Sequence, residues 1–133
     1  MENTSITPRI DFTAALSGLF DLSGKAAYVP GGYGGIGEAI AWGLALAGAK
    51  VAVSGRDEAK AIEVAAALRA AGHDALGLAM DAHTVSSIQA SVDAVAHRFG
   101  GLDILVNCVG MQDRKSTRLN SSHSTLSRMP SSA

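Results

Sequence analysis

Short apolar runs alternate along the chain with longer stretches that favour helix. The runs lie at residues 25–29 (KAAYV), 50–54 (KVAVS), 75–80 (ALGLAM) and 102–109 (LDILVNCV). Each is short and bounded by glycine or polar turn-forming residues, which is typical of buried strands. The last run is almost continuously apolar, so we predict a fourth strand that is buried on both faces.

Helix-forming stretches separate these runs. Residues 38–47 (EAIAWGLALA) and 58–71 are rich in strong helix formers, and a glycine follows each of them. A third helix is predicted from an N-cap at Thr84 to Phe99, because apolar residues recur there at steps of three and four. The alternation of strand and helix predicts an α/β fold, a doubly wound parallel sheet with the first strand near its centre.

The composition fits one small folded domain. The 133 residues are 47% apolar and carry 11 basic and 12 acidic side chains. The near-equal numbers of basic and acidic residues argue against a globally basic nucleic-acid binder. No apolar run approaches the roughly 20 residues that cross a bilayer. A single cysteine fits a reducing compartment, and the first 20 residues lack a secretory signal pattern. We expect a cytoplasmic protein without a metal site that binds neither nucleic acid nor membrane.

The composition changes near residue 112. All 15 glycines lie at or before Gly110, and the chain has seven basic against eleven acidic residues before Asp113 but four against one from there on. We therefore divide the chain into an N-terminal extension (1–19), a domain (20–112) and a tail (113–133).

The tail has two interpretations. One is a flexible, basic, serine-rich arm that contacts phosphates or is phosphorylated, as in a phosphate-seeking interaction protein. The other is that residues 113–133 are not a gene product, because the whole string resembles a forward translation of a widely used sequencing adapter. We favour the second interpretation and assign the tail no function.

A glycine-rich loop, residues 30–37 (PGGYGGIG), lies between the first strand and the first helix. In such a loop Gly31 allows a sharp turn, Gly35 leaves room for a pyrophosphate, and Gly37 lets the helix pack close to the sheet. The free amides and the dipole at the helix start attract an anion. The loop predicts a pyrophosphate site; the alternative is a glycine-rich turn without a ligand.

The loop and later elements resemble the short-chain dehydrogenase/reductase family, whose loop reads TGxxxGxG. The resemblance continues at Asp81-Ala82 after the third strand and at residues 107–110 (NCVG), which look like the family's NNAG element. It spans about residues 20–112. It implies a Rossmann-type sheet, truncated here after the fourth strand, an NAD(P) cofactor, a small-molecule alcohol or ketone substrate, and a homo-oligomer at full length.

The resemblance also implies the cofactor-binding positions. They are Gly31, Tyr33, Gly34, Gly35, Ile36, Gly37, Arg56, Asp81, Ala82, Asn107, Val109 and Gly110. The glycine loop would hold the pyrophosphate, Asp81 and the backbone of Ala82 the adenine, and the NCVG segment the ribose region. The alternative for Asp81 is a solvated carboxylate at a strand end. Pro30 departs from the family's threonine, which puts the bracing between the first and fourth strands in doubt.

The choice of cofactor depends on residues 53–57 (VSGRD). An NAD site tends to carry an acid at the end of the second strand, where it bonds the ribose 2′-hydroxyl, but here Gly55 stands at that position. Arg56 follows, and a guanidinium can make a forked contact with a 2′-phosphate. NADP(H) is therefore favoured over NAD(H). Tyr33 tempers this preference, since family members that prefer NADP often carry a basic residue in the glycine loop. The alternative is that Arg56 caps a surface turn or pairs with Asp57 or Glu58.

The catalytic residues that the resemblance implies are missing. The family uses a serine and a tyrosine in YxxxK, but neither Tyr28 nor Tyr33 has a lysine four residues later. We expect the cofactor-binding front half of an NAD(P)-dependent oxidoreductase, inactive as given. Residues 20–25 (FDLSGK) and the SGRD element resemble family members that act on sugar acids and polyols. The alternative is a non-catalytic dinucleotide-binding or sensor module.

Overall fold

The computed structural model of this protein describes residues 12–110. In chain order the helices and strands are α1 (Phe12–Leu19), β1 (Ala26–Pro30), α2 (Gly35–Leu46), β2 (Lys50–Gly55), α3 (Glu58–Ala70), β3 (Ala75–Ala79), α4 (Val85–Phe99) and β4 (Ile104–Leu105). The predicted tail, 113–133, lies outside the described residues. None of the helices within residues 12–110 is both long and apolar enough to cross a bilayer.

The four strands form one parallel sheet in the order β3-β2-β1-β4. The first strand therefore lies inside the sheet, with β2 on one side and β4 on the other. The chain moves outward from β1 to β3 and then crosses back to the other side of β1. This reversal produces the doubly wound, Rossmann-type arrangement, and the predicted fold class is confirmed.

The sheet separates two apolar layers, because successive residues of a strand face opposite sides. Val29, Val51 and Val53 are completely buried on the side that packs against α2 and α3. Tyr28 and Ala52 point to the other side, towards α4. The domain core is therefore divided between the two faces of a sheet whose central strands are fully buried.

Buried hydroxyl groups form a hydrogen-bond network in the second apolar layer. The Tyr28 hydroxyl lies 2.7 Å from Ser54 Oγ and donates to Ser91 Oγ at 2.8 Å. The Ser91 hydroxyl in turn donates to the Ile88 carbonyl at 2.7 Å. Each buried hydroxyl thus has a partner, which offsets the cost of removing it from water. The network joins β1, β2 and α4 and explains the two buried serines.

The fourth strand differs from its prediction. Backbone hydrogen bonds to β1 extend from Asp103 to Cys108, but the regular strand covers only Ile104–Leu105. Leu105 is 59% exposed, so the expectation of burial on both faces is wrong for the described structure. Helix α4 has its main contacts with β1, β2 and β3, and Leu105 on the outer strand β4 stays exposed. The Pro30 carbonyl accepts the Cys108 N–H at 2.8 Å, so the two strands are braced despite Pro30.

Helix boundaries also differ from the sequence predictions. Helix α2 begins at Gly35, three residues early, because the glycine loop itself forms its first turn and the Glu38 N–H bonds the Gly34 carbonyl. Thr84 occupies the N-cap position of α4, but its hydroxyl donates to Asp81 at 3.4 Å rather than capping the helix. Helix α1 lies in the segment taken as an extension and had no predicted element.

Helix α3 packs on β3 at a glycine. A Cβ atom added to Gly77 would overlap the Ala61 carbonyl and come within 2.7 Å of Ile62 Cα. Both are backbone atoms of α3, which cannot move aside like the end of a flexible side chain. The absence of a side chain at Gly77 therefore sets the distance between α3 and the sheet.

We expect Gly77→Ala to lower the free energy of unfolding by about 1–3 kcal/mol, because overpacking a well-filled contact forces the backbone to shift. The matched control is Gly43→Ala on α2, where an added Cβ meets nothing within 4 Å. That change should raise stability by about 0.5–1 kcal/mol, since glycine is costly inside a helix. Urea denaturation measures both values, and equal effects at the two sites would contradict this packing.

Candidate functional site

The carboxyl ends of the parallel strands meet at one edge of the sheet, where doubly wound folds bind ligands. A cleft of about 250 Å³ opens there, between the glycine loop, the end of β2, the turn after β3 and the segment after β4. It lies beside β1, where the chain reverses its direction across the sheet.

Seven of the predicted site residues line this cleft. They are Gly31, Tyr33, Gly34, Arg56, Ala82, Val109 and Gly110. The other five lie outside its lining. Gly35, Ile36 and Gly37 form the first turn of α2, Asp81 follows β3, and Asn107 lines a neighbouring depression of about 310 Å³. The predicted site residues therefore lie in one region, which four segments of the chain form together in the fold.

At two positions of the loop only glycine fits, because backbone atoms of neighbouring segments lie where a Cβ atom would be. Gly31 has φ +78°, and a Cβ there would lie 2.6 Å from the Cys108 carbonyl oxygen. A Cβ on Gly37 would overlap the Gly31 carbonyl oxygen. The sequence predicts that Gly37 lets α2 approach the sheet. In the structure the atom nearest to an added Cβ at Gly37 belongs to the backbone of the glycine loop. At these contacts the loop, α2 and the segment after β4 therefore pack backbone against backbone.

Gly35 has a different environment. A Cβ at this position meets nothing within 4 Å, and the Ile36 side chain beside it is 78% exposed. Within residues 12–110 the backbone amides of Gly35, Ile36 and Gly37 donate to no protein acceptor. Free amides at the positive end of the α2 dipole, with no side chain on Gly35 to cover them, form a surface suited to an anion.

Arg56 is exposed at the end of β2 and lines the cleft. The ion pairs within residues 12–110 are Arg98–Asp74 and His83–Asp81, so Arg56 does not pair with a neighbouring acid there. Asp57 instead caps α3 by accepting the Lys60 N–H at 3.2 Å. The guanidinium therefore remains available to a ligand in the cleft.

Asp81 closes the turn that follows β3. Its Oδ1 accepts the His83 N–H at 2.9 Å, and Oδ2 accepts the Thr84 hydroxyl. The backbone N–H of His83 is the main reason that the pKa of the Asp81 carboxyl is lowered, followed by the hydrogen bond from the His83 ring. Asp81 is thus an ionised carboxylate that orders the turn beside the cleft while remaining 45% exposed.

The segment after β4 is ordered by a similar local contact. Asn107 Oδ1 accepts the Val109 N–H at 3.0 Å. Cys108 is half-buried and packs against the main apolar cluster, while its carbonyl lies against Gly31 as described above. The asparagine therefore shapes the chain where it passes the glycine loop.

Four lining residues of the cleft are not among the predicted site residues: Gly55 and Cys108, which lie within the motifs VSGRD and NCVG, and Met80 and His83, which sequence reasoning missed. Met80 is 5% exposed at its base, and its N–H bonds the Gly55 carbonyl at 2.8 Å. His83 lines the cleft with its ring 3.2 Å from Asp81. The two-residue spacing of Asp81 and His83 after a strand is the signal that could have pointed to this pair. No cluster of three or more metal-ligating side chains forms among residues 12–110.

Comparison with known proteins gives a family assignment. The profile of the short chain dehydrogenase family matches residues 25–129. The chain belongs to this family. The resemblance seen in the sequence is therefore confirmed, and the match runs into the tail segment, which the structure does not describe.

Among curated members of the family, hydroxynaphthalene reductase arp2 of Aspergillus fumigatus is 42% identical over 95 residues, which are 71% of this chain and 35% of the relative. D-threitol dehydrogenase of Mycolicibacterium smegmatis is 42% identical over 92 residues, or 69% of this chain and 35% of the relative. The chain thus spans about a third of the length of these relatives.

A solved structure shows the same fold. The short chain dehydrogenase of Burkholderia cenocepacia, determined in complex with NADP, is 45% identical and superimposes with a TM-score of 0.65. The match covers 68% of this chain and 37% of that protein.

The Asp81 turn gives a prediction on pH. Because the folded state lowers the pKa of Asp81, its charge stabilises the fold above the ordinary value of 3.8, and this contribution is lost as the pH falls through the lowered pKa. Asp81→Asn keeps an acceptor oxygen but removes the charge. We expect it to reduce the free energy of unfolding near neutral pH and to match the wild type well below pH 3.8.

Urea denaturation at a series of pH values measures this difference, with Asp93→Asn on the exposed side of α4 as the control for loss of a negative charge elsewhere. If Asp81→Asn lowered the free energy of unfolding by the same amount at every pH, the charge of Asp81 would not be the cause.

Proposed function

We propose that the chain is the cofactor-binding front half of an oxidoreductase that transfers a hydride between a nicotinamide dinucleotide and an alcohol or ketone. The main support for the proposal is that the backbone amides of Gly35, Ile36 and Gly37, at the start of α2 and beside the cleft, have no protein acceptor within residues 12–110. Family membership supports the same reaction class. The bound nicotinamide would supply the hydride chemistry.

The residues around the cleft suit the parts of such a cofactor. The amides of Gly35 and Ile36 would bind the pyrophosphate, since they have no protein acceptor within residues 12–110 and carry partial positive charge at the helix start. Asp81 and the backbone of Ala82 would hold the adenine. The segment with Asn107, Val109 and Gly110 would border the ribose region.

We favour NADP(H) over NAD(H). Gly55 supplies no carboxylate to bond a 2′-hydroxyl or to repel a 2′-phosphate. Arg56 lines the cleft without an acidic partner among residues 12–110, so its guanidinium is free for a forked contact with a phosphate. The NADP-bound relative from Burkholderia cenocepacia is consistent with this preference.

We further propose that the chain as given is inactive and that the full-length protein acts on a sugar acid or polyol. Tyr28 is 1% exposed and bonded to two serines, and the Tyr33 hydroxyl accepts the Asp57 N–H. The Tyr28 phenol is thus out of reach of a substrate, and neither tyrosine has a lysine four residues later. The relative named for D-threitol supports a polyol, whereas the hydroxynaphthalene reductase supports a ketone or alcohol of another kind. Cytoplasmic location and homo-oligomerisation belong to the same proposal.

A pair of glycine variants tests the pyrophosphate site. Gly35→Ala should leave the fold intact, because its Cβ meets open space, but should weaken NADPH binding about tenfold or more, because the methyl group occupies the approach of the pyrophosphate. Gly43→Ala, the same change in the middle of α2, should leave affinity unaltered. Isothermal titration calorimetry measures both, and unchanged binding by Gly35→Ala would refute the assignment.

A charge variant tests the cofactor preference. Arg56→Ala should weaken NADPH binding by about 10- to 100-fold, the range expected for losing charged hydrogen bonds, and should change NADH binding far less. Lys25→Ala removes an exposed cation next to the opposite end of β1 and is the control for net charge. Equal losses for the two dinucleotides on Arg56→Ala would remove the basis for preferring NADP(H).

A further inference from the structure

Tyr33 and Gly55 are in direct steric contact. A Cβ added to Gly55 would overlap the Tyr33 ring, 2.5 Å from both Cζ and the hydroxyl oxygen. Gly55 is not among the glycines with positive φ, so its backbone does not require glycine. The space that a side chain at position 55 would need is the space that the Tyr33 ring fills.

Residues at the start of α3 hold the Tyr33 ring in this position. The Tyr33 hydroxyl accepts the Asp57 N–H at 3.0 Å, and the Lys60 ammonium lies 6.0 Å from the ring centre. Asp57 also caps α3 through the Lys60 N–H. The aromatic ring therefore bridges the glycine loop and the first turn of α3, directly over the end of β2.

Tyr33 also separates two depressions. It lines the cleft that contains Arg56, and it lines a groove of about 510 Å³ bordered by Glu38, Lys60 and Glu63. The ring is thus a wall of the cleft at the point where the second strand ends. This is the point at which an acid in a dinucleotide site bonds the ribose 2′-hydroxyl.

We propose that Tyr33 is a specificity-determining residue, which acts by excluding a carboxylate from position 55. The inference rests on the proposed dinucleotide site. The ring is held by its hydrogen bond from the Asp57 N–H, and a side chain at position 55 would have to displace it. Arg56 is the one charged side chain lining the β2 end of the cleft among residues 12–110. Removing the ring frees the space for an acid that bonds a 2′-hydroxyl and repels a 2′-phosphate.

The test combines substitutions at both positions in the 133-residue chain. The variants are Gly55→Asp, Tyr33→Ala, Tyr33→Ala/Gly55→Asp and Tyr33→Phe/Gly55→Asp. Two quantities are measured for each: the melting temperature without ligand, and the dissociation constants for NADPH and NADH. Gly43→Asp on α2 is the control for adding a carboxylate where a side chain meets open space.

We expect Gly55→Asp alone to lower the melting temperature by several degrees, because the new side chain displaces the Tyr33 ring and breaks its hydrogen bond with the Asp57 N–H. Adding Tyr33→Ala should recover most of that loss, whereas Tyr33→Phe, which keeps the ring, should not. The ratio of NADH to NADPH affinity should rise about tenfold or more in Tyr33→Ala/Gly55→Asp relative to Tyr33→Ala, since a carboxylate then bonds the 2′-hydroxyl.

Equal melting shifts for Gly55→Asp with and without the Tyr33 ring would overturn the steric coupling. An unchanged NADH-to-NADPH ratio in Tyr33→Ala/Gly55→Asp, with a wild type that binds dinucleotide, would overturn the specificity role alone. A wild type that binds neither dinucleotide would overturn the proposed function, and this inference with it.

Discussion

The site depends on backbone that packs directly against backbone. Gly31 turns the chain off β1 with positive φ and leaves no atoms between its Cα and the Cys108 carbonyl. Gly37 allows the first turn of α2 to lie on the Gly31 carbonyl. Because side chains are absent at both contacts, the helix start, the loop and the segment after β4 come together at the sheet edge. A methyl group at either position would push these segments apart.

This packing has an electrostatic consequence. A helix start leaves amides without intrahelical acceptors, and in α2 those of Gly35, Ile36 and Gly37 have no other protein acceptor within residues 12–110. They stand beside the cleft rather than under a capping side chain, since Gly34 at the N-cap position has none. Exposed donors at the positive end of a helix dipole are stabilised by an anion. The proposed pyrophosphate site follows from this arrangement.

From β1 to β4 the order of strands and helices was predictable, because apolar runs and helix formers alternate strictly along that part of the chain; helix α1 was not predicted. The early start of α2 was missed because glycine has a low helix propensity. Two other features depend on contacts between distant residues: the exposure of Leu105 depends on which strands α4 covers, and the bridge from Tyr33 to Asp57 depends on the meeting of two loops. Local sequence carries no signal for such contacts. For the same reason the site pattern located the cleft but missed Met80 and His83.

The central claim is that the α2 amides bind the diphosphate of a dinucleotide. The most direct measurement is a two-dimensional ¹H–¹⁵N NMR titration of the 133-residue chain with NADPH, with adenosine as the phosphate-free control. With NADPH the amide signals of Gly35, Ile36 and Gly37 are expected to shift saturably, and with adenosine no shifts of comparable size are expected at these amides. Amide signals of Gly35 to Gly37 that stay unchanged at saturating NADPH would contradict it.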